Sequence, residues 1–315
     1  MQHAEPKTPS SWRADSSSNV DLWAWTSGLS IAFSYVVSLY IHPSGSKIIG
    51  FPKGDRNDPH EIRRRFQKVF FASLFSCAVS VCFQLRSGSD MSAAFHRMGF
   101  KFSGFLPAIT LPILLTLILF SGALLSDYLQ GRFRGYNQAF FSLLWYNLHY
   151  RRRILRDTIY SWMWWRAYVV APLSEEFVYR ACLIPVIAWC YGTTTAVFLS
   201  PLAFGVAHLH HIFDRVRHGA PVAEAISSTL FQIFYTFVFG VYSAFLFVRT
   251  GHIVAPILVH ALCNRLGVPD VEPLVKGASS QRMVVGLTHL AGFTLWLIFL
   301  YPWTEPSLYG PRELV

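Results

Sequence analysis

The sequence predicts an all-α protein that is integral to a membrane and crosses it several times. Of the 315 residues, 53% are hydrophobic and only 14% are charged, whereas ordinary globular chains have roughly 25% charged residues. The 27 Phe, 14 Tyr and 10 Trp are an aromatic content suited to the interfaces of a bilayer. Long apolar runs recur along the chain, and a helix satisfies every backbone hydrogen bond within such a run in lipid.

About eight of these runs are candidate transmembrane helices, each of which needs roughly 20 apolar residues. In chain order they cover residues 20–41, 69–85, 105–125, 163–190, 193–208, 225–247, 253–264 and 283–301. The seventh run is too short to span a bilayer alone and the fifth is marginal, and both end in His or Asn. We therefore expect the ends of these two helices to reach a polar cavity rather than lipid.

The chain divides into a polar segment at residues 1–19, an integral membrane domain at residues 20–304 and a short C-terminal tail at residues 305–315. No internal repeat or long linker interrupts the membrane domain, so it is expected to fold as one unit. No cleavage-type signal sequence precedes the first apolar run, which is expected to act as an uncleaved signal anchor.

The formal charge of +10 comes from basic residues in the loops, which indicates membrane orientation and contact with anionic lipids rather than nucleic-acid binding. With eight spans, 18 of the 27 Lys and Arg residues lie in the odd-numbered loops, which are therefore predicted to be cytoplasmic. The five cysteines show no disulfide or zinc spacing and are interpreted as small buried hydrophobic residues. A secreted disulfide scaffold and a disordered tail are likewise excluded.

Ionisable side chains at membrane depth are costly, by roughly 2.5 to 3.5 kcal/mol each on insertion scales, so each needs a partner or a function. In the fourth run, Glu176 and Arg180 are spaced to form a pair on one helix face. Glu175 is rotated by about 100° and lacks that partner, which suits it to accept a proton from water. Alternatively, both acids pair with Arg180 or Arg166 and only fix helix packing.

The fifth and seventh runs each end in a polar pair with the same four-residue spacing. Phe204 lies on the face of His208, where its ring can shield the imidazole from lipid or line a substrate pocket; the alternative is a satisfied core histidine. His260 and Asn264 share a face and can both donate hydrogen bonds to one anion, as a tetrahedral oxyanion requires. The alternative is a plain interhelical hydrogen-bond pair.

Other catalytic patterns are absent from the sequence. The segment that starts at His60-Glu61 resembles a zincin helix, but Arg64 stands where the second histidine is needed. There is no G-x-S-x-G elbow and no Gly-rich phosphate loop. A transporter would also hold acids and histidines at membrane depth, but it would be expected to show repeat symmetry. A non-catalytic scaffold would tolerate loss of the motif residues, and all of them are present.

Together, the three polar motifs resemble the signature motifs of the CAAX protease and bacteriocin-processing family of membrane proteins. The stretches 180–182, 204–208, 245–252 and 308–310 are similar to the eukaryotic, Ras-converting members of that family. The likeness extends from about Leu29 to Gly310.

The resemblance implies an all-α, multi-pass endopeptidase of the endoplasmic reticulum membrane with a conical catalytic cavity. Such enzymes remove the last three residues of farnesylated or geranylgeranylated CAAX proteins, among them Ras-family GTPases. Membrane lipids are the other expected partners, and nucleic acid is not expected.

The resemblance also implies a role for each motif residue. Glu175 would activate water, His208 would help to hold that water, and His260 and Asn264 would stabilise the oxyanion. Three residues would support them: Glu176, Arg180 and Phe204. No cofactor or metal is expected, with zinc as the alternative, because Glu, His and Asn side chains are also possible metal ligands.

Overall fold

A computed structural model describes residues 17–40, 57–131, 161–217, 219–269 and 272–311 of the protein. Within these ranges all regular secondary structure is helical and no strand is present, which confirms the predicted all-α class. Residues 1–16 of the polar N-terminal segment and residues 132–160, which make up most of the third predicted loop, lie outside the described ranges.

The α-helices of the described residues are, in chain order, α1 Ser17–Tyr40, α2 Pro59–Arg86, α3 Met91–Arg97, α4 Phe105–Leu119, α5 Ser121–Leu129, α6 Trp162–Trp165, α7 Ala171–Glu176, α8 Leu183–Val206, α9 His210–Arg217, α10 Val222–Thr250, α11 Val254–Leu266, α12 Glu272–Lys276 and α13 Ser279–Trp303. Two π-helical segments, Arg166–Val170 and Phe177–Cys182, join α6, α7 and α8. The 3₁₀ segments are Ala207–Leu209 and Pro306–Tyr309.

Five helical stretches are long and apolar enough to cross a membrane, or six when α4 and α5, which meet at 60°, count as one span. The stretch Trp162–Arg217 has 56 residues and includes the fourth and fifth predicted spans. At about 1.5 Å per residue it far exceeds a hydrocarbon core of roughly 30 Å. Gly192, with φ 81° and ψ 161°, breaks its helical path between those two spans. The chain is thus a multi-pass membrane protein, and the count of about eight spans stays a prediction.

The site region is built around α7, a short helix with a π-helical segment on each side. Pro172 is its second residue and directly follows the π-helical segment Arg166–Val170. Single π turns inside helices are frequent at functional sites because they change the direction of the following side chains. Here they flank the two acids Glu175 and Glu176.

The interior of the bundle is formed by α8 and its neighbours α1, α2 and α10. The largest fully buried side chains include Arg180, Tyr179, Tyr309, Phe83 and Phe247. Large apolar side chains lie on the outside of α10 and α13, for example Phe234 and Leu290 with 66% and 63% exposure. An apolar exterior around a partly polar interior is the arrangement that lipid requires.

The predicted C-terminal tail packs onto the helical domain. Within the 3₁₀ segment Pro306–Tyr309, the Tyr309 side chain is fully buried and its hydroxyl donates to the Trp303 carbonyl. Gly104, at φ 74°, lies so close that a Cβ there would overlap the Tyr309 backbone. The segment 306–309 is therefore packed against the helical domain, and the boundary between domain and tail stays a prediction.

Candidate active site

Glu176 is the centre of a buried polar network. Its Oε2 accepts a hydrogen bond from the Ser243 hydroxyl at 2.5 Å and lies 3.0 Å from Arg180 Nε. Its Oε1 lies 2.7 Å from His260 Nδ1. The side chains of Glu176 and Arg180 are both completely buried. The predicted pair on one helix face is confirmed, and α10 and α11 supply the other two contacts.

Arg180 has further partners inside the bundle. Its Nη2 donates to the Gly240 carbonyl at 3.4 Å, and its guanidinium carbon lies 5.0 Å from the centre of the Phe204 ring. A buried guanidinium needs an anionic partner, because an uncompensated buried charge is strongly destabilising. Glu176 is the acid that fills this role, while Glu175 lies beside His260.

His260 connects the two acids. Because the ionised Glu176 carboxylate can only accept hydrogen bonds, the Nδ1 of His260 must carry the proton that is donated to it. This arrangement directs Nε2 towards Glu175, whose Oε2 lies 3.8 Å away. Such a contact is longer than a hydrogen bond but close enough for electrostatic attraction. The structure thus places His260 against both acids.

Glu175 faces a cavity of about 220 Å³ between α1, α2, α7 and the end of α8. The side chains that line it include Tyr35, Arg65, Arg166, Glu175, Phe204 and His208. Tyr35 hydrogen-bonds to Ser174 Oγ at 3.0 Å and lines the same cavity as Glu175. The tyrosine on α1 and His260 on α11 thus both lie near Glu175, which the sequence did not predict. Helix spacing alone could not show partners from other helices.

His208 lies in the same cavity as Glu175. Its Nδ1 is 2.8 Å from the Phe204 carbonyl, so Nδ1 carries the proton that is donated to this acceptor. The Phe204 and His208 rings meet edge to face, with centroids 5.0 Å apart. The predicted shared face of Phe204 and His208 is confirmed, and Phe204 forms part of the cavity wall.

Asn264 makes a contact that the sequence did not indicate. Its Nδ2 donates to the Ala167 carbonyl at 2.9 Å, in the π-helical segment before α7. His260 is bonded to Glu176, so the two side chains have separate partners in this structure rather than one shared target. The bond from Asn264 holds α11 against the helical run that carries Glu175, and its role at an oxyanion stays a prediction.

Three residues of the site were missed by sequence reasoning: Tyr35, Ser243 and Gly240. Ser243 left a weak signal as a polar residue within an apolar run, and it is fully buried. Tyr35 left none, because aromatic residues are common throughout the apolar helices of this chain. Among the residues the structure describes, no group of three or more His, Cys, Asp or Glu side chains is arranged to hold a metal ion.

A second, larger cavity of about 820 Å³ lies between α10, α13 and the α4–α5 bend. Its lining is almost entirely apolar and includes Phe239, Phe245 and Cys263. The Phe239 ring packs against His260, with centroids 4.9 Å apart. This apolar cavity therefore reaches the neighbourhood of His260 through Phe239, and among the residues that the structure describes it shares no lining residue with the cavity that contains Glu175 and His208.

Comparison with known proteins gives concordant matches. A family model described as "Type II CAAX prenyl endopeptidase Rce1-like" matches residues 157–266, the region that carries Glu175, His208, His260 and Asn264. The Homo sapiens protein named CAAX prenyl protease 2 is 38% identical over 291 residues, which cover 91% of this chain and 82% of that protein.

Relatives from other animals carry the same name. The protein from Rattus norvegicus is 33% identical over 306 residues, covering 95% of this chain and 86% of its own. The protein from Caenorhabditis elegans is 32% identical over 250 residues, covering 78% of this chain and 87% of its own. No solved structure matches the chain. Because these three relatives are 32% to 38% identical to the chain over most of its length and of their own, the protein belongs to the family of type II CAAX prenyl endopeptidases.

Proposed function

We propose that this protein is an intramembrane endopeptidase that removes the last three residues, aaX, from farnesylated or geranylgeranylated CAAX proteins. The single observation that carries the proposal is Glu175 facing a small cavity together with His208, in a chain of the CAAX prenyl protease family. A cavity with convergent polar groups inside an apolar bundle is the expected form of an active site.

Glu175 would act as the general base. It would take a proton from a water molecule in the cavity, and the water oxygen would attack the carbonyl carbon of the prenylated cysteine residue. His208, whose Nδ1 is fixed by the Phe204 carbonyl, would hold that water through Nε2. As the C–N bond breaks, the proton held by Glu175 passes to the amine of the departing tripeptide.

His260 and Asn264 would stabilise the oxyanion of the tetrahedral intermediate. His260 would do so in its doubly protonated form, because Nδ1 donates to Glu176 and Nε2 would donate to the oxyanion. The bond from Nδ1 to Glu176 holds the ring of His260 in one orientation, and Arg180 and Ser243 fix Glu176 in turn. Such outer partners set the tautomer and direction of a working histidine. On this proposal Glu176 and Arg180 support catalysis without touching the substrate.

The substrates would include Ras-family GTPases, and the enzyme would reside in the endoplasmic reticulum membrane. Both proposals rest on family membership together with the long apolar helices. The membrane location suits the chemistry, because a prenyl chain gains about 0.8 kcal/mol for each CH₂ that it buries in lipid. The bilayer would therefore concentrate the substrate beside the enzyme.

Water activation is proposed to need no metal ion, since a carboxylate and a fixed histidine can hold and deprotonate water directly. We expect purified enzyme to keep its activity after dialysis against a strong chelator, with no stoichiometric metal by elemental analysis. Activity that is lost on chelation and returns only with zinc, while the unfolding midpoint stays constant, would contradict this and make His208 and His260 candidate ligands.

The proposed activity is tested by incubating enzyme in bilayer nanodiscs with a farnesylated CAAX peptide and with the same peptide lacking the lipid. Mass spectrometry should show one cut, immediately after the cysteine, and release of the intact tripeptide. The unprenylated peptide should be cut at least ~100-fold less efficiently, since ~2.7 kcal/mol corresponds to a few buried methylenes. Comparable kcat/KM values for the two peptides would indicate a general membrane peptidase instead.

A further inference from the structure

Two arginines lie in the wall of the cavity that contains Glu175. Arg65 comes from the first turns of α2, and Arg166 comes from the π-helical segment before α7. Both side chains are partly buried, and neither belongs to the three sequence motifs. The proposed hydrolysis itself gives them no role, because the base, the histidines and the amide are all supplied by other residues.

Local partners hold the two guanidinium groups at the cavity. Arg65 Nε lies 3.3 Å from Glu61 Oε1, one turn earlier on α2. Arg166 Nη2 donates to Asn57 Oδ1 at 3.0 Å. A cation at such a site attracts anions most strongly when it is only partly hydrated, and guanidinium groups match carboxylates in shape. The cavity thus contains the proposed base, Glu175, and, at a separate place, two arginines that could bind a carboxylate.

The separation of these two features matches the length of a tripeptide. Arg166 and Glu175 are nine residues apart on one helical run, which is about 13 Å at ~1.5 Å per residue. Three extended residues span at most about 10–11 Å. The flexible arginine side chain covers the remaining few ångströms. A peptide cut beside Glu175 would therefore place a carboxylate three residues downstream near Arg166.

We propose that Arg166 and Arg65 bind the free C-terminal carboxylate of the substrate, and that this contact sets the cut at three residues from the chain end. The proposal rests on the proposed function. It also accounts for how an anionic chain end enters a bundle of apolar helices, since an unpaired carboxylate would be expelled from that environment.

The test compares three farnesylated peptides in nanodiscs: the CAAX free acid, its C-terminal amide, and the free acid extended by one residue. For the parent enzyme we expect kcat/KM to fall ~10- to 100-fold on amidation, the range for losing a charge-assisted hydrogen bond. The extended peptide should be cut less efficiently than the normal one, because its carboxylate lies one residue too far away.

Substitution of either arginine should abolish the preference for the free acid over the amide, but not the cleavage reaction itself. In Arg166→Ala and Arg65→Ala, the ratio of kcat/KM for the acid to kcat/KM for the amide should approach one, chiefly because kcat/KM for the acid falls. Arg166→Lys should show a ratio between that of Arg166→Ala and that of the parent. Arg64→Ala is the matched control, because Arg64 is the exposed neighbour of Arg65 on α2 and does not line the cavity. Its ratio should equal that of the parent.

The outcomes separate this inference from the proposed function. Equal cleavage of acid and amide by the parent, or an unchanged ratio in both alanine variants, would overturn the carboxylate contact while the endopeptidase activity stands. Failure of the parent to cut any of the prenylated peptides would overturn the proposed function, and the inference with it.

Discussion

At the scale of single residues, Glu176 has the largest structural role in the site. Its carboxylate is completely buried and meets Arg180, Ser243 and His260. It compensates the charge of Arg180 and orients the ring of His260. Stability and catalytic geometry are therefore coupled through one side chain, although the proposed base is its neighbour Glu175.

Replacing Glu176 with Gln should destabilise the protein strongly. The amide keeps the shape of the side chain but leaves the Arg180 charge buried without compensation, a loss of about 3–5 kcal/mol. The measurement is the free energy of unfolding in detergent. Adding Arg180→Met to Glu176→Gln should recover part of the loss, because the uncompensated charge is then removed as well.

The control for this substitution is Glu272→Gln. Glu272 is paired with Lys276 on the surface, where their side chains are 60% and 76% exposed. Such pairs contribute roughly 0–1 kcal/mol, so little change is expected. Equal losses for Glu176→Gln and Glu272→Gln would contradict the importance given to the buried pair.

The sequence predicted those site contacts that follow from helix spacing, and it missed those that cross between helices. The Glu176–Arg180 pair and the Phe204–His208 contact both join residues four positions apart, and both are present. The bond from His260 to Glu176 joins residues 84 positions apart. No periodicity specifies such a bond, because it depends on how α11 packs against α7.

At the scale of helices, the close approach of α10 and α8 holds the network together. A Cβ on Gly240 would lie 2.8 Å from Pro201 Cβ and 3.2 Å from Arg180 Nη2. Small residues at helix interfaces allow the backbones to come this close in a membrane protein. Glycine at position 240 therefore lets Arg180 reach both Glu176 and the Gly240 carbonyl.

Gly240→Ala should separate the two helices and displace Arg180. Overpacking of this kind lowers stability by about 1–3 kcal/mol, which should appear as a lower unfolding midpoint and reduced turnover. Gly205→Ala is the matched control at the same interface, because its Cβ would lie no closer than 3.5 Å to Ile233. Similar effects of both substitutions would show that the tight contact at Gly240 is unimportant.

The turn between α10 and α11 contains a histidine, His252, whose pKa is lowered. Burial, and after it the charge of Lys101, lower the pKa of His252 below its usual value near 6.5. The His252 Nε2 lies 2.8 Å from the Ser103 carbonyl, and its ring lies near Tyr309. Neutral His252 thus helps to connect this turn, the loop before α4 and the C-terminal segment.

Acidification should therefore weaken this junction. Because the folded state resists protonation of His252, the unfolded state binds more protons below about pH 6.5. The stabilisation is complete above that pH and is lost as the pH falls towards the lowered pKa. We expect the unfolding midpoint of the parent to drop more between pH 7.5 and 5.5 than that of His252→Gln, with Lys101→Gln intermediate. Identical pH profiles for all three proteins would contradict this role.

Composition and run length were sufficient to predict the long apolar helices, but not the short helices α3, α9 and α12 or how the long runs are divided. Every predicted span overlaps a helix of the structure, and the 13-residue helix α11 is too short to span alone, as expected. The π-helical segments beside α7 and the 60° bend between α4 and α5 were not predicted. Both depend on packing against neighbouring helices, which a single-sequence hydropathy pattern does not record.

At the scale of the whole molecule, the apolar exterior and the small polar cavity together define the proposed reaction. On the proposed function, lipid around the helices would retain a prenylated substrate, while the attacking water would lie in the cavity that Glu175 faces. Confinement in low dielectric strengthens each electrostatic contact of the site. The membrane location was predicted from composition and run length, whereas the endopeptidase activity was predicted from the resemblance of the three polar motifs to a known family.

The central claim, that Glu175 activates the attacking water, is tested most directly by the turnover of Glu175→Gln on a farnesylated CAAX peptide, measured by mass spectrometry of the released tripeptide. The substitution keeps the size of the side chain and removes its ability to accept the proton, so kcat should fall by ~10²–10⁴ while the unfolding midpoint stays close to that of the parent. The exposed Glu224→Gln on α10 should retain parental turnover. Turnover by Glu175→Gln within tenfold of the parent would contradict the claim and require a different base.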